Sequence, residues 1–359
     1  MIVSKRLLQL LETQSSSNLM DDWEYSKMHE GTNNIFKIFN KHSKEKYALK
    51  IYNKCSKINH ALEHNIIEYL AELKRHPSII YSSNDYRIEE FIEDSKVDIL
   101  QLRSLSKLMQ VIELIASLHS DSQLRDNILP AIEDKRPFVL AVNESWLNSF
   151  REVYYEIQET LKNTKYEEFS ISLSFLLTED FQELFRSLMP NTSEVVLSHN
   201  DISAANLLSI KNNDKVEMYL IDYEYCRLNY RSYDLATLFE DLITDYKHPE
   251  YPSFKIHHEL AITPEEEDIL LRHYISTRKL PKATKGVDME LKKLKQEVIS
   301  LRIIFQLAAT LWGLTTHDWS KKGFDENNCW RIEYAKQRWT VFQEYIKKYY
   351  YDDQTSVIY

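Results

Sequence analysis

Residues Leu197 to Asp234 read LSHNDISAANLLSIKNNDKVEMYLIDYEYCRLNYRSYD, and within them His199-Asn200-Asp201 is followed, five residues after the aspartate, by Asn206. An apolar pair, Leu207-Leu208, leads into the polar turn Lys211-Asn212-Asn213-Asp214-Lys215; a second apolar run ends at Leu220-Ile221 and Asp222 follows at once. The pattern predicts two strands flanking a turn, with acids at their ends. Taken singly, an Asp beside a strand more often caps a turn than carries out chemistry, and Asn206 alone reads as an ordinary turn residue. The residues gain meaning only as a set in a fixed order.

Phosphoryl transfer from ATP needs little covalent chemistry and much positioning: an Asp near the attacking hydroxyl, and oxygen ligands holding Mg²⁺ on the phosphates. Asp201 suits the first role, Asn206 and Asp222 the second. An Asp with an Asn five residues on is the kinase catalytic-loop spacing. Asp222 is followed by Tyr223-Glu224-Tyr225 where a protein kinase carries Phe-Gly, so the chain is not read as a protein kinase.

The same residues, with Ile221-Asp222-Tyr223-Glu224-Tyr225 and Asn229-Tyr230-Arg231-Ser232-Tyr233-Asp234, resemble the choline/ethanolamine kinases, a branch of the aminoglycoside-phosphotransferase-like kinases. The resemblance runs from about Glu30 to Arg338. It implies an α+β, two-lobed, protein-kinase-like fold: a small antiparallel-sheet lobe over residues 1–93 that binds the nucleotide, and a larger, mainly helical lobe over 94–359 that carries the chemistry and the acceptor. ATP and Mg²⁺ are the implied cofactors, and Asp201 the residue that orients and deprotonates the substrate hydroxyl. His199 is expected to brace its loop by hydrogen bonding, and Asp234 to buttress that loop from a buried position.

Upstream, Lys5 to Glu12 predicts a lead-in helix. The pattern from Trp23 is that of strands: Ile35 to Ile38, a polar turn from Asn40 to Lys46, then Tyr47-Ala48-Leu49-Lys50-Ile51-Tyr52 with period-two alternation. Gly31, Thr32 and Asn33 precede them; the resemblance makes their stretch a phosphate-approaching turn. Lys50 stands where kinases place a cation for the ATP phosphates, although choline kinases usually carry Arg there and lysine lacks its bidentate fork. Glu63, on a helix expected over Ala61 to Leu73, is its implied partner. Arg87 to Ile92 resembles the lobe-connecting strand, and Glu90, Phe91 and Ile92 are the expected adenine contacts. An apolar stripe predicts a helix over Leu102 to His119, with His119 structural at its end. Further helices are expected at Trp146 to Leu161, Glu179 to Leu188, Asp234 to Tyr246, Pro264 to Thr277, Met289 to Thr316 and Cys329 to Tyr350, with a loop over 247 to 264.

Aromatic faces and carboxylates together hold a cationic head group. Trp312-Gly313-Leu314 resembles the family's Trp-Gly-Leu-Trp, and Tyr334 and Tyr246 match two further aromatics of its cage. Asp201, Glu224 and Asp241 complete the candidate acceptor set. Choline is the acceptor expected first; Thr315 stands where a second Trp is expected, and Leu238-Phe239-Glu240-Asp241-Leu242 replaces His-Phe-x-Glu-Trp, so ethanolamine or a different amino alcohol is open. Trp319 and Trp330 are candidates to fill the gap; Trp339 reads as core.

At 359 residues and a formal charge of −10, the chain has room for two cores and no excess of positive charge for a general nucleic-acid surface. Its three cysteines, Cys55, Cys226 and Cys329, are too scattered for a disulfide framework or a zinc site. No uninterrupted run of about 18 apolar residues suggests membrane insertion, and a cytoplasmic enzyme is the expectation. The partner implied is a small cationic amino alcohol; oligomeric state is left open, as is whether the product enters lipid synthesis. An aminoglycoside, homoserine or methylthioribose-like acceptor is one alternative, a catalytically silent kinase fold acting as a binding module another.

Overall fold

The computed structural model describes residues 23–30, 34–52, 59–93, 97–212, 215–246, 248–278, 286–320 and 324–351. Gly31, Thr32, Asn33, Cys55 and the expected lead-in helix lie outside them. The chain divides into two compact units, neither of them contiguous. The first takes Met1–Val97, Ser122–Ile132 and Ala205–Cys226; the second takes Asp98–Asp121, Glu133–Ala204 and Arg227–Tyr359.

The first unit is built on a five-stranded sheet, β1 (Trp23–Glu30), β2 (Asn34–Asn40), β3 (Lys46–Ile51), β4 (Ile79–Ser82) and β5 (Tyr86–Glu90), in the order β1-β2-β3-β5-β4. Every neighbouring pair is antiparallel. Asn40 accepts the N–H groups of His42 and Ser43 at 2.9 Å each and so shapes the turn between β2 and β3. Period-two alternation puts Ile38, Leu49 and Ile88 on one buried face, with Trp23, Phe36, Tyr47, Tyr81 and Tyr86 packed against them. Helix α1 (His60–Glu72) begins at Asn59, whose side chain accepts from Leu62 N–H at 3.0 Å, and buries Leu62, Glu63, Ile66, Ile67 and Leu70. The hairpin β7 (Leu207–Asn212) and β8 (Lys215–Leu220) joins this unit. Ile221 N–H donates to the Asn206 carbonyl at 2.9 Å, so Asn206 and Asp222 adjoin the hairpin's open end, away from its turn.

The second unit is mainly helical: α2 (Leu105–His119), α3 (Phe138–Leu161), α4 (Glu179–Leu188), α5 (Ser232–Asp241), α6 (Pro264–Thr277), α7 (Gly286–Thr315) and α8 (Trp330–Ile346). A two-stranded antiparallel ribbon, β6 (Val195–Ser198) with β9 (Arg227–Tyr230), feeds the catalytic-loop motif at one end and α5 at the other. Every residue of α5 is buried. Against it lies α7, 30 residues long. Among the described residues α7 is long and apolar enough to cross a membrane, but 67% of its apolar window is buried inside the protein, which accounts for the run. Two of its polar members, Arg302 and Gln306, donate to Glu240 of α5, as does Tyr345 of α8 at 2.9 Å. Gly313 permits the close crossing of α7 and α8, since a Cβ there would stand 2.7 Å from the Arg331 carbonyl oxygen and 3.0 Å from the Ala335 Cβ.

Several boundaries differ from expectation. The helix expected over Asp234 to Tyr246 ends at Asp241, and Thr244–Asp245 instead pairs with Lys255–Ile256 as a short antiparallel ladder within the expected loop. β-branched Ile243 and Thr244 favour extended backbone, and the bend returns the Tyr246 hydroxyl to Asp241. α3 starts at Phe138, a full two turns before Trp146, directly after Pro137, whose fixed φ suits a helix entrance. β5 ends at Glu90, short of Ile92, and α2 begins at Leu105 after Ser104.

Candidate active site

In the first unit the chemistry gathers around Lys50. Strand pairing sets Lys50 opposite Arg87, and two buried cations on adjacent strands require an anion between them. Glu63 supplies it, 3.0 Å from Lys50 Nζ and 3.1 Å from Arg87 Nη1. Arg87 pairs also with Glu89 on its own strand. Lys50 reaches two further acids, Asp222 at 2.6 Å and Glu224 at 3.3 Å. Burial alone would lower the Lys50 pKa, but Asp222, Glu63 and Glu224 together hold it well above the usual lysine range. Burial would likewise raise Glu63, yet Arg87, Lys50 and His60 keep it well below the ordinary carboxylate range. The lysine and its helix glutamate are thus charged and fixed.

Asp222 has the left-handed backbone φ 67°, ψ 64°, uncommon for a residue with a Cβ and the kind of local strain that clusters at functional sites. Its carboxylate remains 26% exposed while Lys50 and Glu63 are closed off. Asp222 and Asn206 offer oxygen donors, the type a hard divalent cation takes. Among the described residues no group of three or more His, Cys, Asp or Glu could hold a metal ion. Glu224, expected beside the acceptor, also lies 3.3 Å from Lys50 Nζ. Glu90 closes β5 through its N–H to the Ser78 carbonyl at 2.9 Å, and Lys37 Nζ lies 4.6 Å from the centre of the Phe91 ring; Ile92 follows in the same segment.

In the second unit the loop His199-Asn200-Asp201 is stapled by Asp234. Both oxygens of that fully buried carboxylate are used: Oδ2 accepts His199 N–H and Oδ1 accepts Asn200 N–H, each at 2.8 Å. Asn200 can therefore hold its left-handed φ of 70°, aided by Asn229 Nδ2 donating to its side-chain oxygen at 2.7 Å. Asp201 N–H donates to His199 Nδ1 at 3.3 Å, so His199 braces the turn. Burial would raise the Asp234 pKa, but the hydrogen bond from His119, the charge of the two histidines and the Asn200 amide keep it below the usual aspartate value. Asp201, half-buried, follows this fixed corner.

A separate cluster in the same unit joins Asp241, Tyr246, Trp312 and Tyr334. The Tyr246 hydroxyl donates to Asp241 at 2.5 Å and lies 3.2 Å from the Tyr334 hydroxyl. Tyr334 meets Trp312 and Phe254 edge to face, with ring centres 5.9 Å and 5.3 Å apart. Trp330 stands 5.9 Å from Trp312, whereas the Trp319 indole N–H is committed to the Leu314 carbonyl at 2.7 Å. Thr315 turns its hydroxyl back to the Leu311 carbonyl. Trp339 is buried, its indole N–H on Ser172.

Two residues that the sequence reading missed reshape this cluster. Phe254 is one. Arg338, 1% exposed, is the other: it donates to Thr244 at 2.8 Å, lies 3.4 Å from Asp241, and sets its guanidinium 5.1 Å from the centre of the Tyr334 ring. Burial pushes the Asp241 pKa up to about 6, against the opposing pull of Arg338 and of the Tyr246 hydrogen bond. Arg338 lies one turn after Tyr334 on α8, so the two share a helix face, but its contacts with Asp241 and Thr244 depend on a distant part of the chain. Arg87 was more legible, since Arg87 and Glu89 alternate on one strand face opposite Lys50.

Comparison with known proteins places these features in context. The family model described as choline/ethanolamine kinase matches residues 25–343. A human choline/ethanolamine kinase is 25% identical over 258 residues, which span 70% of this chain and 60% of that protein. Among solved structures, a choline kinase from Cryptosporidium parvum superposes with a TM-score of 0.70 at 22% identity, covering 96% of each chain. An ethanolamine kinase from Plasmodium vivax gives 0.66 at 18% identity, covering 94% of this chain and 88% of its own. The fold is the protein-kinase-like one expected from the motifs.

Proposed function

The chain belongs to the choline/ethanolamine kinase family, and on that premise we propose that it transfers the γ-phosphoryl group of ATP to the hydroxyl of choline or ethanolamine. The observation that carries the reading is the buried Lys50, held by Glu63 at 3.0 Å with Asp222 at 2.6 Å, the charge arrangement that nucleotide phosphates and their cation call for.

Asp201 accepts the hydroxyl proton as the acceptor oxygen attacks the γ-phosphorus. The bond from that phosphorus to the β,γ-bridging oxygen breaks, and ADP leaves with the electron pair. Lys50 offsets negative charge on the phosphate oxygens, and Glu63 and Arg87 keep Lys50 in place. Glu90, Phe91 and Ile92 are assigned to the adenine. Asp222 and Asn206 are the residues that would hold magnesium, which when bound neutralises phosphate charge. Tyr246, Trp312 and Tyr334 receive the cationic head, with Asp241 as its counter-charge.

Within this reading ethanolamine is favoured over choline by two features: Arg338 already stacks against Tyr334, and Thr315 presents a back-bonded hydroxyl in place of an aromatic wall. A primary ammonium can donate hydrogen bonds to Asp241 and Tyr246, and a trimethylammonium cannot. The aminoglycoside and homoserine alternatives draw no support from the relatives named above.

The test is ATP consumption by the purified protein with Mg²⁺ against choline, ethanolamine and a panel of amino alcohols and aminoglycosides. Saturable turnover with either of the first two is expected. Turnover confined to an aminoglycoside, or none at all, overturns the proposal.

A further inference from the structure

The hydrogen bonds behind the catalytic-loop motif converge on Asp234, and one arm of them begins on a helix with no part in the site so far. Arg278, at the end of α6, is held by Glu194 through two contacts at 2.7 Å and 3.0 Å. It lies 3.3 Å from the Tyr274 hydroxyl, and a guanidinium can only donate. The Tyr274 proton is then free to go to its other neighbour, His119 Nδ1, 2.8 Å away. His119 Nε2 lies 3.0 Å from Asp234 Oδ2, and Asp234, which accepts the two loop amides, needs a donor there. Donors therefore run from Arg278 to Tyr274 to His119 to Asp234, with the Tyr274 proton donated to His119 Nδ1 and a His119 proton on Nε2. The backbone amides of His199 and Asn200 meet Asp234 from the other side, as donors too.

We infer that Tyr274 is a positioning residue for phosphoryl transfer: its hydroxyl fixes the His119 tautomer, and through Asp234 it fixes the corner from which Asp201 projects. Tyr274 is fully buried and His119 and Asp234 are nearly or wholly so. The charged and titratable groups facing the chain are Asp234 and Arg231 from the entrance of α5, His199 from the loop, Glu194 before β6, and Arg278 from α6. Arg231 is itself paired with Glu297 and Glu290. The inference rests on the kinase reading only in taking Asp201 as the reacting carboxylate.

Selective ¹⁵N-histidine labelling, with His119→Asn to assign the signal, reads the tautomer directly in the unaltered protein. One nitrogen in the N–H range, Nε2, and one bare nitrogen, Nδ1, is expected; a protonated Nδ1 overturns the assignment. Tyr274→Phe keeps the ring, which meets His119 edge to face at 5.7 Å, and removes only the hydroxyl. It should change the His119 ¹⁵N pattern and lower kcat about tenfold, with KM for ATP and acceptor held within about twofold, as loss of orientation without loss of binding requires. An altered ¹⁵N pattern with unchanged kcat overturns the positioning role. Failure of the kinase reading has a different signature: the unaltered protein shows the expected His119 pattern and no turnover with any acceptor.

Discussion

Lys50 stands closer to Asp222, at 2.6 Å, than to its helix partner Glu63, at 3.0 Å. The lysine charge rests on the carboxylate proposed to hold the nucleotide's cation, so lysine and cation compete for the same oxygens. Removing the lysine with Lys50→Met should strengthen binding of Mn²⁺, used as a magnetic probe in the absence of nucleotide, by about tenfold, because Asp222 and Glu224 lose their neutralising partner. Turnover should fall by about a hundredfold in the same variant. Unchanged Mn²⁺ affinity would show that Lys50 does not occupy the cation's place.

Asp201 is the proposed base. Asp201→Asn should lower kcat by at least about a thousandfold, the scale expected when a positioned proton acceptor is lost, while the thermal shift produced by Mg-ATP stays within about a degree. Retention of a tenth of the activity would remove Asp201 from the role.

Asp241 supplies the pH dependence. Its pKa is raised from 3.8 to about 6, so the neutral form accumulates as pH falls through that value and the counter-charge for a cationic acceptor disappears. KM for the acceptor should rise as pH is lowered below about 6, approaching tenfold per unit, while KM for ATP stays level. In Asp241→Asn the acceptor KM should be high and flat across the same range. A rise that persists unchanged in that variant would assign the ionisation elsewhere.

Asp234→Asn keeps the shape of the side chain and replaces one of its acceptor oxygens by a donor facing either a loop amide or His119. Such a buried mismatch costs about 3 kcal/mol, measurable as a lowered urea midpoint with an unchanged slope. The depressed pKa of Asp234 carries its own sign. Its stabilising contribution is present above the unfolded-state value and is lost as pH falls below it, so the gap between native protein and variant should narrow in acid.

Gly313→Ala drives a methyl group to within 2.7 Å of a backbone oxygen on α8. Neither partner is a flexible chain end, so α8 must shift and carry Tyr334 and Arg338 with it. A loss of about 2 kcal/mol in stability is expected, together with a raised acceptor KM and an unaltered KM for ATP.

How much of this was legible in the sequence depended on range. Alternation over Tyr47 to Tyr52 and the helical periods over Glu179 to Leu188 and Pro264 to Thr277 are local signals; the two helices coincide with the observed ones and the strand differs by one residue at each end. The motif spacing placed Asp201, Asn206 and Asp222, and the burial of Asp234 follows from the same pattern. The contacts of Arg338 with Asp241 and Thr244, of Phe254 with Tyr334 and of Glu224 with Lys50 were out of reach, because each depends on elements brought together from distant parts of the chain. Glu224 is the instructive case: it lies two residues from Asp222, and only the turn at Asp222 decides which charge it meets.

The units described above interleave along the chain, and this decides how the protein can be taken apart. The hairpin that ends in Asp222 belongs to the unit containing the sheet, although it is encoded more than a hundred residues after the sheet's last strand. A fragment cut at Val97 would keep Lys50, Glu63 and Arg87 but forfeit Asp222 and Glu224, leaving two buried cations to share Glu63 and Glu89. Neither half can be cloned by a single cut. Swapping the nucleotide-binding part between relatives would require grafting three separate segments at once, and two-hybrid or split-reporter designs would need their break within an exposed loop of one unit, not between the two.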